Sequence, residues 1–151
     1  MNLFDDKVEK MRRYCLFTDR CHKEVRSKLL KENIYGDELE QIMAILIEED
    51  FLNEERFAKA YAKGKFKQNK WGKKKIQMEL KQRGLSDYCI RKGFEEIDDD
   101  DYDEMIRSLW EKKWDQTREK NEYKKRQKVM NYMMGKGYGY EEVKMAIENG
   151  I

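Results

Sequence analysis

Side chains suited to catalysis or metal binding are scarce in this sequence, and their spacing fits no common arrangement. His22 is the single histidine among 151 residues, so no pair of histidines can hold a metal ion. A zinc site would have to combine Cys21 and His22 with Cys15 and a distant ligand, and a cluster at an ordinary helix start is the favoured interpretation. Cys15, Cys21 and Cys89 form no Cys-x-x-Cys pair, which indicates reduced thiols rather than a disulfide framework.

Two further segments have only a superficial likeness to ligand-binding loops. The glycine-rich run at 135–139 lacks the preceding strand and the Gly-Lys-Ser/Thr ending of a phosphate loop, so a turn between helices explains it better. The aspartates at 98–101 and Asp103 lack the spacing and the central glycine of an EF-hand. A solvated linker, whose charge suits the N-terminus of the next helix, is the favoured interpretation. We therefore expect a protein that is not an enzyme and needs no cofactor or metal.

A basic stretch from Lys63 to Arg83 is the strongest indication of a binding surface. Between Lys59 and Arg83 the only acid is Glu79. The segment 70–75, Lys-Trp-Gly-Lys-Lys-Lys, places cations around Trp71 at an expected helix start, where charge and N-terminal amides can hold phosphate. Trp71 could stack on bases, but a packing role is favoured. A merely solvated lysine face is an equally weighted alternative for the stretch. A second basic cluster follows at Lys124, Lys125, Arg126 and Lys128.

The elements that must position these side chains are predicted from an internal repeat. Large apolar residues recur at offsets of zero, four, nine, fourteen and eighteen from three starting positions, Val25, Ile76 and Val129. In each pattern two i, i+4 pairs mark two apolar helix stripes. The residue at offset eight is of a type that tolerates the left-handed conformation closing a helix, being Asn33, Gly84 or Gly137. Each pattern therefore predicts a helix, a tight turn and a second helix.

A leading helix precedes each of these pairs, so nine helices are predicted. The clearest leading helices are Glu54 to Lys67 and Asp103 to Arg118. The predicted fold is all-α, with three tandem three-helix repeats at residues 1–52, 53–98 and 99–151. Because one such unit buries little surface alone, the repeats should stack into an elongated helical array, with curvature and handedness left open. The expected core includes Phe57, Tyr61, Ile76, Leu80, Ile90 and Phe94.

Composition agrees with a folded helical protein in the cytoplasm. Charged residues make up 42% of the chain and proline is absent, while the hydrophobic share of 39% is too high for a disordered charged polymer. The N-terminal residues lack the apolar core of a signal peptide, and no apolar run approaches the ~18 residues that cross a bilayer. We expect a cytoplasmic, monomeric protein without a membrane partner.

Two segments of the chain resemble the RecX family of bacterial regulatory proteins. Residues 51–61 contain an apolar pair, the capping Asn53, then Glu-Arg-Phe-Ala and a downstream Tyr61, as in one family signature. Residues 71–76 and 80–86 are similar to a second family block. The resemblance runs from about Tyr14 to the C-terminus. It departs from the family pattern at Asn53, where Asp is usual, and at residues 18–21, which replace a proline-containing turn.

The resemblance implies three tandem three-helix repeats and a regulator of the RecA recombinase. Members of the family bind RecA, typically within the groove of its filament on single-stranded DNA, and restrain its recombination and ATPase activity. The residues expected to face the partner are Lys65, Lys67, Lys70, Lys73, Lys74, Lys75, Lys81 and Arg83, assisted by Lys124, Lys125 and Arg126. A weak direct contact with DNA is also expected. The alternatives are a stand-alone helical nucleic-acid-binding module using the Lys63 to Arg83 surface, or a purely structural adaptor.

Overall fold

A computed structural model describes residues 2 to 149 and contains nine helices in that range. No strand occurs in the described residues, so the predicted all-α class is confirmed. None of these helices combines the length with the apolar composition that crossing a bilayer requires. The helices are α1 (Leu3–Phe17), α2 (His22–Lys31), α3 (Gly36–Glu48), α4 (Glu54–Asn69), α5 (Lys73–Gln82), α6 (Asp87–Phe94), α7 (Asp99–Gln116), α8 (Glu122–Gly135) and α9 (Tyr140–Asn149).

The predicted repeat register is present in all three helix pairs. The residues at offsets zero, four, nine and fourteen are all at most 5% exposed. The turn residues Asn33, Gly84 and Gly137 have φ angles of 62°, 81° and 105°. After each of them the amide of the next residue donates to a carbonyl five residues earlier, as from Ile34 to Leu29 at 2.9 Å. The same backbone closure therefore ends α2, α5 and α8.

The described chain divides into two compact units. The first runs to Ala60 and includes Leu80–Gly93, while the second holds Tyr61–Glu79 and the described residues from Phe94 onward. Both α4 and α5 thus contribute to each unit. The boundaries predicted after residues 52 and 98 remain proposals.

The first unit packs α1 and α2 against α3. Its core is built from side chains of these three helices and their connections, among them Met11, Val25, Leu29, Ile42 and Leu46, each fully buried. Ion pairs link the helices at the surface, with Lys7 and Lys10 of α1 bound to Glu38 and Glu32. Such exposed pairs contribute little stability individually, so burial of the apolar stripes holds this unit together.

The second unit packs α7 against both α8 and α9. Phe66 of α4 and Ile76 of α5 are buried in the same unit. Phe66, Tyr102 and Tyr138 form a row of tilted aromatic contacts, with ring centroids 5.7 and 5.3 Å apart. This row places the end of α4, the start of α7 and the turn before α9 beside one another.

Three details of the sequence prediction are corrected. Tyr61 and Phe94 were expected in the core but are only partly buried: Tyr61 packs beside Trp71, which is itself partly exposed, and Phe94 is the last residue of α6. The acidic run is not a linker: α7 begins at Asp99, and Asp98 caps it by accepting a hydrogen bond from the Asp101 amide at 3.1 Å. The favourable interaction of carboxylates with a helix N-terminus explains why the helix extends into this run.

Acid should destabilise the first unit, because several of its carboxylates are ion-paired. A hydrogen bond from Lys10 lowers the pKa of Glu32, and hydrogen bonds from Arg26 and Arg12 lower the pKa values of Glu40 and Glu49. Folding thus favours the charged form, so this contribution is present above the ordinary pKa of 4.5 and is lost as the pH falls through the folded values.

We expect the urea midpoint of unfolding to fall between pH 5 and pH 3. The double variant Arg26→Gln/Glu40→Gln should show a smaller fall than the wild type, since one of the pairs is then absent. An equal fall in both proteins would mean that these pairs do not produce the acid sensitivity.

Candidate partner-binding surface

Trp71 lies where the chain leaves α4, and it organises two lysines. Lys70 has a left-handed φ of 59°. The Trp71 amide then donates a hydrogen bond to the Lys65 carbonyl at 3.1 Å, so the indole lies beside the last turns of α4. There the ring meets Tyr61 edge-on at 6.5 Å, while the ammonium groups of Lys65 and Lys75 lie 4.9 and 4.5 Å from its centroid. Cation–π attraction therefore holds both lysines at the indole.

The turn that contains Gly72 is docked on the turn that follows α8. The Gly72 amide donates to the Lys136 carbonyl at 2.8 Å, and the Lys74 amide donates to the Gly137 carbonyl at 3.0 Å. The two backbones are so close that a Cβ on Gly72 would lie 2.4 Å from the carbonyl carbon of Gly137. The glycine-rich run thus acts as a turn, as predicted, and also as a platform for the start of α5.

Tyr102 connects this platform to α7 and α9. The Lys73 amide donates to the Tyr102 hydroxyl at 2.9 Å, and that hydroxyl donates to Glu142 Oε1 at 3.0 Å. The Tyr138 hydroxyl donates to the Lys70 carbonyl at 2.9 Å. Burial raises the pKa of Tyr102 and of Tyr138, so both hydroxyls keep their protons.

These contacts correct one part of the sequence interpretation. The amides of Gly72, Lys73 and Lys74, at the helix start that the sequence marked as able to hold phosphate, all donate to acceptors inside the protein. Trp71 is only partly exposed, and a base stacking on the indole would compete with lysine ammonium groups. An anionic partner would therefore be recognised by the charged side chains and not by these backbone amides.

Lys136 is a member of the site that sequence reasoning missed. Its ammonium group donates to the Asn69 carbonyl at the end of α4, at 2.8 Å. Burial lowers the pKa of Lys136, and the nearby charges of Lys75 and Lys70 lower it further. The only sequence signal was its place inside the glycine-rich turn, which does not indicate proximity to residues sixty positions earlier.

Five cations of the second unit lie together and are called here the lysine cluster: Lys65, Lys70, Lys74, Lys75 and Lys136. The Lys74 side chain lies along Gly139, beside the docked turns. Within the described residues none of these five forms an ion pair with an acid. By contrast, Arg12, Arg26 and Arg56 in the first unit are all paired with carboxylates. Uncompensated charge at fixed positions is the expected character of a surface that meets an anionic partner.

The remaining predicted residues of the basic stretch lie elsewhere. Lys67 borders a cavity with Asp101 and Glu104, and the Lys73 ammonium is 3.9 Å from Asp99 and 4.6 Å from the Tyr102 centroid. Lys81, which is 3.7 Å from Asp87, and Arg83 belong to the first unit. The basic stretch, which is contiguous in the sequence, is thus divided between the two compact units.

The second predicted cluster surrounds a pair of tryptophans. Lys124 is exposed at the start of α8, where its amide donates to the Asn121 side chain that caps the helix. The Lys125 ammonium lies 4.5 Å from the Trp114 centroid, and the Arg126 guanidinium carbon lies 5.7 Å from that of Trp110. Both clusters therefore combine cations with indole rings.

The first signature segment has a structural role. Asn53 caps α4 because its side-chain oxygen accepts a hydrogen bond from the Arg56 amide at 3.0 Å, so the usual Asp is not required there. Glu54 accepts the His22 amide at the start of α2, at 3.1 Å. The Arg56 side chain donates to Asp19 Oδ1 at 3.0 Å and to Asp50 Oδ2 at 3.2 Å. The segment therefore fixes the connections between helices.

Cys21 also has a structural role, at the start of α2. Its amide donates to Glu24 at 3.3 Å, as in a capping box, which confirms the helix-start interpretation. Burial raises the pKa of the Cys21 thiol to about 11. Such a thiol is protonated at neutral pH and is a poor nucleophile.

Comparison with known proteins places the chain among regulatory proteins of one family. Residues 53–93 match the family described as "RecX, second three-helix domain", and residues 99–147 match "RecX, third three-helix domain". "Regulatory protein RecX" of Clostridium botulinum (strain Eklund 17B / Type B) is 30% identical over 134 residues, which cover 87% of this chain and 62% of the relative. The corresponding protein of Clostridium perfringens (strain 13 / Type A) is 29% identical over 126 residues, covering 82% of this chain and 58% of the relative.

A solved structure supports the same fold. The crystal structure of RecX from Lactobacillus salivarius superimposes with a TM-score of 0.86 over 97% of this chain and 95% of that chain, at 23% identity. At this identity the likeness establishes the fold alone. The chain spans about 60% of the length of the curated relatives it matches.

Proposed function

This chain belongs to the RecX family, and on that premise we propose that it regulates the RecA recombinase by binding the RecA filament on single-stranded DNA. The observation that carries the proposal is the lysine cluster, whose five cations have no acidic partner among the described residues. The cluster rests on backbone contacts between two docked turns, so its charges are held before the partner arrives. Complementary charge of this kind chiefly steers association and fixes orientation.

The same geometry favours a protein partner over naked DNA. The helix N-terminal amides that commonly hold phosphate are already bonded within the protein, and both lysines at Trp71 compete with base stacking. A stand-alone nucleic-acid module would use such groups. We therefore propose that restraint of recombination and ATP hydrolysis arises from contact with the filament, without catalysis by this chain.

Reversing three exposed or partly exposed charges of the cluster tests this proposal. The variant Lys70→Glu/Lys74→Glu/Lys75→Glu should raise the concentration that half-inhibits RecA ATPase on single-stranded DNA by about tenfold or more, since unfavourable charge costs ~1.4 kcal/mol or more of binding. Lys73 is left unchanged because its ammonium lies over Tyr102 and near Asp99. The corresponding Gln variant gives a milder test should the Glu variant fold poorly.

The matched control reverses three exposed lysines outside the cluster, Lys31, Lys120 and Lys144. This control has the same net charge as the test variant and should inhibit within about twofold of the wild type. Equal inhibition by both variants would refute the assignment of the cluster. Cosedimentation with single-stranded DNA, with and without RecA, distinguishes the alternative: steeply salt-dependent binding to DNA alone would favour the nucleic-acid module.

A further inference from the structure

Lys136 differs from other lysines of the lysine cluster in what surrounds its ammonium group. That group donates to the Asn69 carbonyl at 2.8 Å, in a hydrogen bond that is open to solvent. The ammonium groups of Lys65 and Lys75 instead lie over the Trp71 indole, 4.9 and 4.5 Å from its centroid. Within the described residues, Lys136 meets neither a carboxylate nor an aromatic ring.

The docked turns bring Lys70 and Lys75 close to Lys136. The Lys136 ammonium lies at the carbonyl of Asn69, the residue before Lys70. The residue after it, Gly137, is so near to Lys75 that a Cβ on this glycine would lie 2.5 Å from the Lys75 Cβ. All these residues belong to the second unit, and backbone contacts between the turns fix their positions. Three cations are therefore held together.

This arrangement makes the Lys136 nitrogen a better nucleophile than that of an ordinary lysine. Partial burial lowers its pKa, and the charges of Lys75 and Lys70 lower the pKa further, so more of the side chain is neutral amine at neutral pH. A lysine placed next to other cations is activated in this way. The neutral amine can still donate an N–H to the Asn69 carbonyl, which leaves its lone pair free for an electrophile.

The neighbouring cations also select the kind of electrophile. Lys70, Lys74 and Lys75 attract anions, since they form no ion pair with an acid in the described part of the chain. An acyl phosphate carries its negative charge on the leaving group, directly beside the reactive carbonyl carbon. Cations that hold this phosphate therefore place the carbonyl near the Lys136 amine, whereas a neutral acyl donor gains no such positioning.

We propose that Lys136 is a modification site at which small acyl phosphates acylate the side-chain nitrogen. The amine lone pair attacks the carbonyl carbon, and the bond from that carbon to the phosphate oxygen breaks. Inorganic phosphate leaves with the bonding electrons, and the displaced amine proton passes to water. The resulting amide is neutral, so the lysine cluster loses one charge. Its regulatory consequence rests on the proposed function: the modified cluster attracts an anionic partner less strongly.

The first test exposes the full chain, without recombinase, to acetyl phosphate. The protein is then denatured, its remaining amines are labelled with deuterated acetic anhydride, and mass spectrometry gives the ratio of light to heavy acetyl groups at each lysine. We expect Lys136 to react at least about threefold faster than the exposed Lys31, Lys120 and Lys144. Acetylation of Lys136 at the same rate as these three, or more slowly, would overturn the proposal.

Removing the neighbouring cations tests the cause of this reactivity. Lys70→Gln/Lys75→Gln should slow acetylation of Lys136 at least about threefold, and less so when the donor is the neutral N-succinimidyl acetate. The matched control Lys31→Gln/Lys144→Gln should leave that rate within about twofold. An unchanged rate in the first variant would contradict the role of the cations. Should that variant fold poorly, added inorganic phosphate should slow acetylation of Lys136 more than that of Lys120 in the unaltered protein, and equal slowing would contradict the same role.

Protein acetylated at Lys136 alone, with acetyl-lysine inserted during translation, tests the consequence. Its half-inhibiting concentration for RecA ATPase should rise at least about threefold, while protein acetylated at Lys31 alone should inhibit as the unmodified chain does. If Lys70→Glu/Lys74→Glu/Lys75→Glu weakens inhibition and acetylation of Lys136 does not, the regulatory inference fails and the proposed function stands. If neither weakens inhibition, the cluster is not the partner surface, and the acetylation rates still decide the modification site.

Discussion

Replacing Gly72 with Ala should lower the free energy of unfolding by about 3 to 5 kcal/mol, a large effect for one methyl group. The new Cβ would lie 2.4 Å from both the carbonyl carbon and the oxygen of Gly137, and 2.6 Å from the Tyr138 nitrogen. All three are backbone atoms, so no side chain can move aside. The two turns must separate, which also breaks the hydrogen bonds from Gly72 to Lys136 and from Lys74 to Gly137.

Gly64→Ala is the matched control for this prediction. Gly64 lies inside α4, and no heavy atom is within 4 Å of the position its Cβ would take. Because alanine is the better helix former, this variant should be neutral or more stable by up to ~1 kcal/mol. Urea unfolding of both variants provides the measurement. A Gly72→Ala protein as stable as wild type would show that the docked turns are not as close as described.

The second large effect is expected from Leu80→Ala, which should cost about 2 to 5 kcal/mol. Leu80 is fully buried in the first unit, and truncation leaves a cavity that rigid neighbouring helices fill only in part. In a protein of this length a loss of ~3 kcal/mol lowers the melting temperature by roughly 6 to 12 °C. Circular dichroism during a thermal melt measures the shift.

Met78→Ala is the control for Leu80→Ala on the same helix. Met78 is 51% exposed on α5, so its truncation should change stability by no more than ~0.5 kcal/mol. Comparable losses from both substitutions would contradict the repeat register, because that register makes Leu80 a core position and leaves Met78 outside it.

The sequence predicted local structure well because helix pairs carry their signals in nearby residues. The apolar offsets from Val25, Ile76 and Val129 identified buried positions, and the Asn or Gly at offset eight identified the left-handed turns. The start of α7 was placed too late because an acidic run is compatible with both a solvated linker and a helix N-terminus. Tyr61 packs beside the partly exposed Trp71 rather than in the core, which the i, i+4 spacing does not show.

The candidate site was predicted less completely, since its geometry depends on contacts between distant segments. Lys136 joins Lys70 and Lys75 only because two glycine turns dock against each other. In the same region, the amides at the start of α5, which the sequence indicated as able to bind phosphate, already form hydrogen bonds within the protein. Lys81 and Arg83, adjacent to the cluster in sequence, are assigned to the other compact unit.

By itself the sequence determined the helices, their apolar stripes, the left-handed closures and the family resemblance. Each of these is encoded over a few helical turns, where side-chain period and backbone conformation act locally. Tertiary structure alone decided which cations stand together and which amides are already bonded. Those outcomes depend on the packing of segments far apart in the chain, about which a local pattern carries no information.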